Sequence, residues 1–447
     1  MKKLILVVID GLPAGLLEGA LDDGRLPTLG LLAEQGRYRR AASAFPSLTP
    51  VCLSTLATGA HPAVHRIPHL VWYHRGERRL VEYGSSFRAM RAAGTRRAIL
   101  DTILEMNRSH LGREAVTVFE ALETAGVTAA AINFTCYRGL TPHRTTLPGV
   151  RQTVHGPRRF FYFNLFESDV TGAPLAVRRR ARGTVDAYAV AVGRWLVTRD
   201  GFDFLVFYLS DFDFASHAAG PDGALGTLAR SDAAVGTLIE AAGGPDAFLD
   251  RYDVIVCSDH GQSRVHRAVR LQERFADVGG VLVTASNRAG MVYRLPDCRV
   301  GVRDLAARLD TERAVDVTLF LEDDEAVARR EGEELRFSPQ GDGWRTAGDL
   351  TLLDHPDALA RVWGALQNPN AGELLVSAVP GLEFADLGGD HHAGGGSHGS
   401  LAAADSEVPV LTLGVDADVR SITDIAPLVL TRFGVEPPSY ARLARAA

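Results

Sequence analysis

The stretch Leu4-Ile5-Leu6-Val7-Val8-Ile9-Asp10-Gly11 is an unbroken apolar run, rich in β-branched residues, that ends in an acid and a glycine. A strand with one wet face alternates polar and apolar residues. A continuous apolar run is what a strand buried on both faces requires. Two later stretches repeat the design: Phe202–Leu209 runs into Ser210-Asp211-Phe212-Asp213, and Tyr252–Cys257 runs into Ser258-Asp259-His260-Gly261. Val127–Asn133 and Val408–Leu413 read as further strands.

Helical patterns fill the intervals. One opens at Pro27 and stops near Gly36, and another opens at Thr49-Pro50 and stops near Gly59. Others cover Val116–Ala125, Thr184–Thr198, Leu225–Ala242 and Ile422–Phe433. Strands alternating with helices predict an α/β fold: a mostly parallel central sheet with helices on both faces. Two regions break the rhythm. Residues 61–115 show no clean period. Residues 281–340 hold short strands (Val281–Thr284, Met291–Arg294, Ala314–Leu321) around a helix over Val302–Leu309. The expectation is a small α+β insertion at 281–340 in a core formed by residues 1–280 and 341–447.

The chain has 447 residues, 46% of them hydrophobic and 23% charged, which suits a large buried core. A formal net charge of −6 argues against a basic face for a nucleic-acid polymer. Cys52, Cys136, Cys257 and Cys298 are widely spaced, so neither a disulfide framework nor a thiolate zinc site is indicated, and a reducing compartment fits. The first apolar run is shorter than the ~7–15 residues of a secretory h-region. No stretch reaches the ~18 uninterrupted apolar residues of a membrane span. The expected location is the cytoplasm, with no membrane partner.

In parallel α/β sheets, ligands bind beyond the carboxyl ends of the strands. A lone aspartate at such an end is ordinarily a cap or turn residue. Three acidic strand ends, two with a histidine close by, form a set, and carboxylate and imidazole are ligands for zinc and similar ions. Asp213 and His217 are four apart, so one helical turn puts both on one face; Asp211 lacks that spacing. The glycine-rich loop Gly388–Gly399 carries His391, His392 and His398; the first two read as solvated loop residues, with groups that support the metal ligands or meet the substrate as the alternative. Thr49, directly before Pro50, is placed to cap a helix. The same position favours an anion, and a metal can activate its hydroxyl. The run Arg178-Arg179-Arg180-Ala181-Arg182 reads as a solvated face.

Six pieces follow one another in order: Val7-Val8-Ile9-Asp10-Gly11; Phe45-Pro46-Ser47-Leu48-Thr49; Thr58-Gly59-Ala60-His61-Pro62-Ala63-Val64-His65; Asp213-x-x-x-His217 with Gly220-Pro221; Ser258-Asp259-His260-Gly261; and Ser397-His398-Gly399. The ordered set resembles the alkaline phosphatase superfamily, in its nucleotide pyrophosphatase/phosphodiesterase branch. The resemblance implies two divalent metal ions, zinc being usual in that branch. Asp10, Thr49, Asp259 and His260 would hold one, and Asp213, His217 and His398 the other. It implies Thr49 as nucleophile, a phosphothreonine intermediate, and a small phosphorylated substrate with a phosphodiester or pyrophosphate bond, of nucleotide type. A sulfatase would need C/S-x-P-x-R, but Cys52 is followed by Leu53-Ser54-Thr55-Leu56. A phosphomonoesterase or phosphonate hydrolase with the same site is the alternative. A non-catalytic metal- or ligand-binding relative is a second, although all seven positions are filled. The chain departs from the branch at Leu70, where an asparagine would bond a phosphate oxygen; leucine has no donor. His69, Trp72, Tyr73 and His74 are the neighbouring substitutes.

Overall fold

The computed structural model describes residues 2–146, 152–163, 165–168, 184–389 and 391–441. The arginine run from Arg178 to Arg182 lies outside the described residues. The opening strand, Lys3–Ile9, sits in the middle of an eight-stranded sheet, parallel to Phe204–Leu209 on one side and Tyr252–Cys257 on the other. Across the sheet the order is Arg37–Ala42, Glu407–Leu413, Tyr252–Cys257, Lys3–Ile9, Phe204–Leu209, Ala129–Ile132, Arg159–Tyr162 and Phe166–Glu167. From Tyr252–Cys257 to Arg159–Tyr162 neighbouring strands are parallel; the remaining pairings are antiparallel. The sheet is therefore mixed, with a parallel centre.

The central run needed to be apolar throughout because both its faces are covered. Leu4, Leu6 and Val8 pack into one hydrophobic cluster with the helices Thr49–Thr58, Val118–Thr124 and Ile425–Arg432. Ile5, Val7 and Ile9 pack into a second, with Ala14–Asp22, Pro27–Gln35, Val185–Thr198 and Leu225–Ala241. The strand period of two sends alternate side chains to opposite layers.

A second, fully antiparallel sheet has seven strands in the order Val281–Ser286, Ala289–Arg294, Leu374–Ala378, Val315–Glu322, Glu325–Arg330, Glu333–Gln340, Gly343–Gly348. The expected insertion at 281–340 falls inside it. The sheet continues to Gly348 and takes in Leu374–Ala378 from further along the chain. Its hairpins turn on residues that accept positive φ: Asp323 and Asp324 (50° and 60°), and Asn287 (57°). No helix among the described residues is long and apolar enough to cross a membrane.

The two sheets are locked by an ion pair. The Arg288 guanidinium, in the turn after Val281–Ser286, donates from Nη1 to both carboxylate oxygens of Asp405 at 2.8 Å, and both side chains are fully buried. Asp405 also accepts the amide and hydroxyl of Ser400 (3.0 and 2.7 Å). Removing one partner of a buried pair leaves an uncompensated charge, which costs about 3–5 kcal/mol. Asp405→Ala should lose that much in urea unfolding, and Arg288→Met with Asp405→Leu should recover part of it. A loss below about 1 kcal/mol, the range of an ordinary surface change, would contradict this role.

Candidate metal centre

Asp10, Asp213, Asp259 and His260 arrive from the carboxyl ends of three adjacent parallel strands, so they meet at one sheet edge. Asp10, Asp259 and His260 form one group of converging ligand atoms; Asp213, His217 and His398 form another. The helix Asp211–Ala219 sets Asp213 and His217 on one face, with His217 Nε2 3.2 Å from Asp213 Oδ2. Asp211 starts the same helix but belongs to neither group. His398 comes from the glycine-rich loop. That loop crosses the helix so closely that a Cβ on Gly395 would run into the His217 carbonyl. Glycine is required for the approach, not for flexibility.

Thr49 is the first residue of the helix Thr49–Thr58, and Leu48 occupies the capping position expected of Thr49. Helix ends shift by a residue easily, but the hydroxyl decides its use. Thr49 Oγ1 lies 3.0 Å from His260 Nε2. His260 Nδ1 donates to the Gly261 carbonyl at 3.0 Å, so the neutral ring carries its proton there and the threonine hydroxyl donates to Nε2. The hydroxyl is therefore bonded to a member of the first group.

The other two histidines are held the same way. His217 Nδ1 donates to the Gly396 carbonyl and His398 Nδ1 to the Ser47 carbonyl, each at 2.8 Å. In their neutral forms all three rings turn an unprotonated Nε2 inward, the orientation that a hydrogen bond at Nδ1 imposes on a metal-binding imidazole. The carboxylates show the complementary lack. Asp10 Oδ1 and Asp259 Oδ2 are buried without a hydrogen-bond partner. Buried charged oxygens are expensive unless paired or bound to a metal. Nitrogen and oxygen donors of this kind fit divalent ions such as zinc.

Protonation follows the crowding. Burial, then repulsion from Asp259 and Asp213, pushes the Asp10 carboxyl well up. Burial also raises Asp259, against the pull of His260. Burial would raise Asp213 too, but His217, His398 and His260 outweigh it and hold it below the ordinary carboxylate range. His217 rises because Asp213 outweighs its burial, and His398 falls far below the usual imidazole value through burial and the neighbouring His260.

Three contacts carry no sequence signal. The Tyr208 hydroxyl donates to Asp10 Oδ2, Gln262 Nε2 donates to Asp213 Oδ1 at 2.7 Å, and Asn287 Nδ2 lies 2.9 Å from His398 Nε2. The expected substitutes for the missing donor at Leu70 are elsewhere. Leu70 itself lines the cavity in front of the site, but His69, Trp72, Tyr73 and His74 do not. Trp72 stacks with His74 against His110, and Tyr73 packs on Tyr293. His391 and His392 do line it, and His392 stacks on His217 at 3.9 Å while Nδ1 donates to Glu383 at 2.9 Å. His391 is exposed, as a solvated loop residue should be, whereas His392 is buried, and the sequence alone does not show the helix it packs on. A third cluster, His74, Glu77 and His110, is not equivalent. His74 Nδ1 accepts the Glu77 backbone N–H at 3.0 Å, which leaves the neutral ring's proton on Nε2 and no nitrogen free.

The cavity holds about 440 Å³ and has an apolar wall of Leu70, Met106, Tyr162, Phe163, Leu165 and Phe214. Among the described residues lining it there is no lysine or arginine.

Among solved structures, phosphonoacetate hydrolase from Sinorhizobium meliloti 1021 aligns with a TM-score of 0.63 at 18% identity, over 96% of this chain and 95% of that one. Murine ectonucleotide pyrophosphatase/phosphodiesterase 5 aligns at 0.62 and 14% identity, over 98% and 96%, and was also solved as an inactive variant in complex with AMP. The human protein of that name aligns at 0.59 and 15%, over 97% and 95%. At these identities the likeness is one of fold. No curated protein matches by sequence. The family model for type I phosphodiesterase / nucleotide pyrophosphatase matches residues 4–401, which includes every converging side chain described above. The chain thus belongs to the type I phosphodiesterase / nucleotide pyrophosphatase family, metal-dependent hydrolytic enzymes of the alkaline phosphatase superfamily.

Proposed function

We propose that this enzyme hydrolyses a phosphodiester or pyrophosphate bond of a nucleotide-type substrate, with Thr49 as nucleophile and two zinc ions as cofactors. The observation that carries the reading is the Thr49 hydroxyl, set at a helix start and 3.0 Å from His260, a member of one of the two groups of metal-binding side chains. Asp10, Asp259 and His260, with Thr49, would hold one ion; Asp213, His217 and His398 would hold the other. Bound divalent ions supply Lewis-acid charge that favours the deprotonated hydroxyl and the departing oxygen. The chain's residues do the rest. Thr49 attacks phosphorus as the P–O bond to the leaving alcohol or phosphate breaks and that group departs; water then attacks the phosphothreonine, breaking its P–O bond, returning the Thr49 hydroxyl and releasing the phosphate product. The helix Thr49–Thr58 presents its positive end to the anion throughout. Tyr208 and Gln262 fix the rotamers of Asp10 and Asp213, and the backbone carbonyls fix the three imidazoles.

Charge favours a diester over a monoester. Three carboxylates and a Thr49 alkoxide balance two divalent ions, so the filled site keeps no surplus positive charge for the second negative charge of a monoester dianion. The apolar wall suits a bulky substituent, and the described lining offers no lysine or arginine for a substrate carboxylate. That last point favours the diester reading over a phosphonate substrate such as phosphonoacetate.

Thr49→Ala should keep the fold, since Thr49 makes no capping bond and even a lost cap costs only ~0.5–2 kcal/mol. Its turnover should fall by several orders of magnitude, while Thr49→Ser stays active because the same oxygen remains. Near-normal turnover in Thr49→Ala would end the nucleophile claim. A kcat/KM for simple monoesters about tenfold above that for diesters, ~1.4 kcal/mol of transition-state binding, would replace diester by monoester cleavage.

Metal analysis should approach two ions per chain, and His398→Ala should empty one site first. Ion retention has a defined pH sign. Asp10 and His217 both hold their protons to higher pH than usual, and each must lose its proton to bind an ion. Dialysis at stepwise lower pH should therefore release metal as these groups protonate. Retention unchanged down to the unfolding pH would contradict the ligand assignment.

A further inference from the structure

The turn Asn287-Arg288 joins the first two strands of the second sheet, yet it reaches the edge of the central one. It is bolted in place on several sides. The Arg288 amide donates to the His398 carbonyl at 2.8 Å, and its guanidinium is paired with Asp405. The Arg288 carbonyl accepts the Ala378 amide at 3.0 Å, and the Asn287 carbonyl accepts the Phe384 amide at 2.7 Å. The side chain of Asn287 is buried and lines the cavity. Its orientation is set from behind: Ser286 Oγ donates to Oδ1 at 2.9 Å, which turns Nδ2 toward the site.

That amide now donates to His398 Nε2 at 2.9 Å. His398 Nδ1 is already committed to the Ser47 carbonyl, so Nε2 is the nitrogen that an ion would take. Once it is taken, the amide has lost its acceptor in a buried place, and an unsatisfied buried donor costs about 1–3 kcal/mol. The backbone cannot carry the amide away, because three backbone hydrogen bonds and an ion pair hold the turn. The acceptor that arrives at this point is an anionic oxygen of the substrate. Leu70 has no donor, and the other carboxamide that lines the cavity, Asn133, donates from Nδ2 to the Val185 carbonyl at 3.3 Å.

We infer that Asn287 is a substrate-binding residue, whose Nδ2–H donates to a non-bridging phosphoryl oxygen when the metal site is filled. The amide would be held to that one oxygen by the second sheet, and it would serve any substrate of the class, because it reads the phosphoryl group and not its substituents. The inference rests on the proposed metal centre.

Asn287→Gly and Asn287→Asp both tolerate the positive φ of this position and both remove the donor. In each, two measurements are made on purified, metal-replete protein: bound metal and the affinity for inorganic phosphate. Metal content should match wild type. Phosphate should bind about tenfold or more weakly, as expected for a lost hydrogen bond to a charged group. With a diester substrate, kcat/KM should fall about 10²–10³-fold, the loss seen when one oxyanion donor is removed. The aspartate should be worse than the glycine, because it places a negative charge against the phosphoryl oxygens. Phosphate affinity and kcat/KM within twofold of wild type in the glycine variant would overturn the inference. So would a parallel loss of metal, which would make Asn287 a support for His398 alone. Wild-type protein that takes up no divalent ion would sink the metal centre and this inference together, so failure of the centre is read on wild type and failure of the donor role on the variants.

Discussion

Three carboxylates, Asp10, Asp213 and Asp259, are buried side by side at the carboxyl edge of the central sheet. Like charges in a desolvated place repel, and each such oxygen needs a proton, a donor or a cation. The chain answers this unevenly. Asp213 is satisfied by Gln262 and His217, whereas Asp10 and Asp259 each keep one buried oxygen with no partner. The strain is tolerated because the carboxylates sit at the ends of parallel strands whose side chains fill both hydrophobic layers. Moving any one of them would mean breaking the core. In the proposed enzyme the cations relieve the repulsion, so binding energy and fold stability are coupled through the same three carboxylates.

The loops around the edge are organised by the same need. Three histidines could rotate, flip or protonate, and each is prevented by a carbonyl from a different segment: Ser47, Gly261 and Gly396. Ser47 is itself held from below. Arg361, fully buried, donates to the Ala44 carbonyl and the hydroxyls of Ser47 and Ser406, with burial pulling its guanidinium down to about 10. The second sheet takes part through Arg288, whose pairing with Asp405 ties the Asn287 turn to the segment before Glu407–Leu413. A cationic side chain on each side thus fixes the backbone that fixes the imidazoles. The carboxylate edge is the destination of both.

Much of this is legible in the sequence for physical reasons that can be named. The central strands are continuous apolar runs, and their ends announce themselves through Asp10, Asp213 and Asp259. Asp213 and His217 fall on one helical face because four residues make about one turn. What is not legible depends on packing between distant segments. Arg288 and Asp405 are 117 residues apart, and no local pattern pairs them. Asn287 between two strands reads only as a turn residue. Leu374–Ala378, which pairs in the second sheet, lies outside every strand expected from the sequence. The hydroxyl of Thr49 looks like a cap in one dimension, because a cap and a nucleophile ask for the same residue before the same proline. The placement of His260 beside that hydroxyl is what supports the nucleophile reading.

The central claim is that the two clusters of side chains are two metal sites flanking Thr49. Anomalous diffraction from crystals grown with zinc, with data on both sides of the zinc absorption edge, tests it without reference to any substrate. The account predicts two anomalous peaks, one bounded by Asp10, Asp259 and His260 and the other by Asp213, His217 and His398, with the Thr49 hydroxyl facing the first. Zinc at full occupancy elsewhere, with neither cluster occupied, would contradict it.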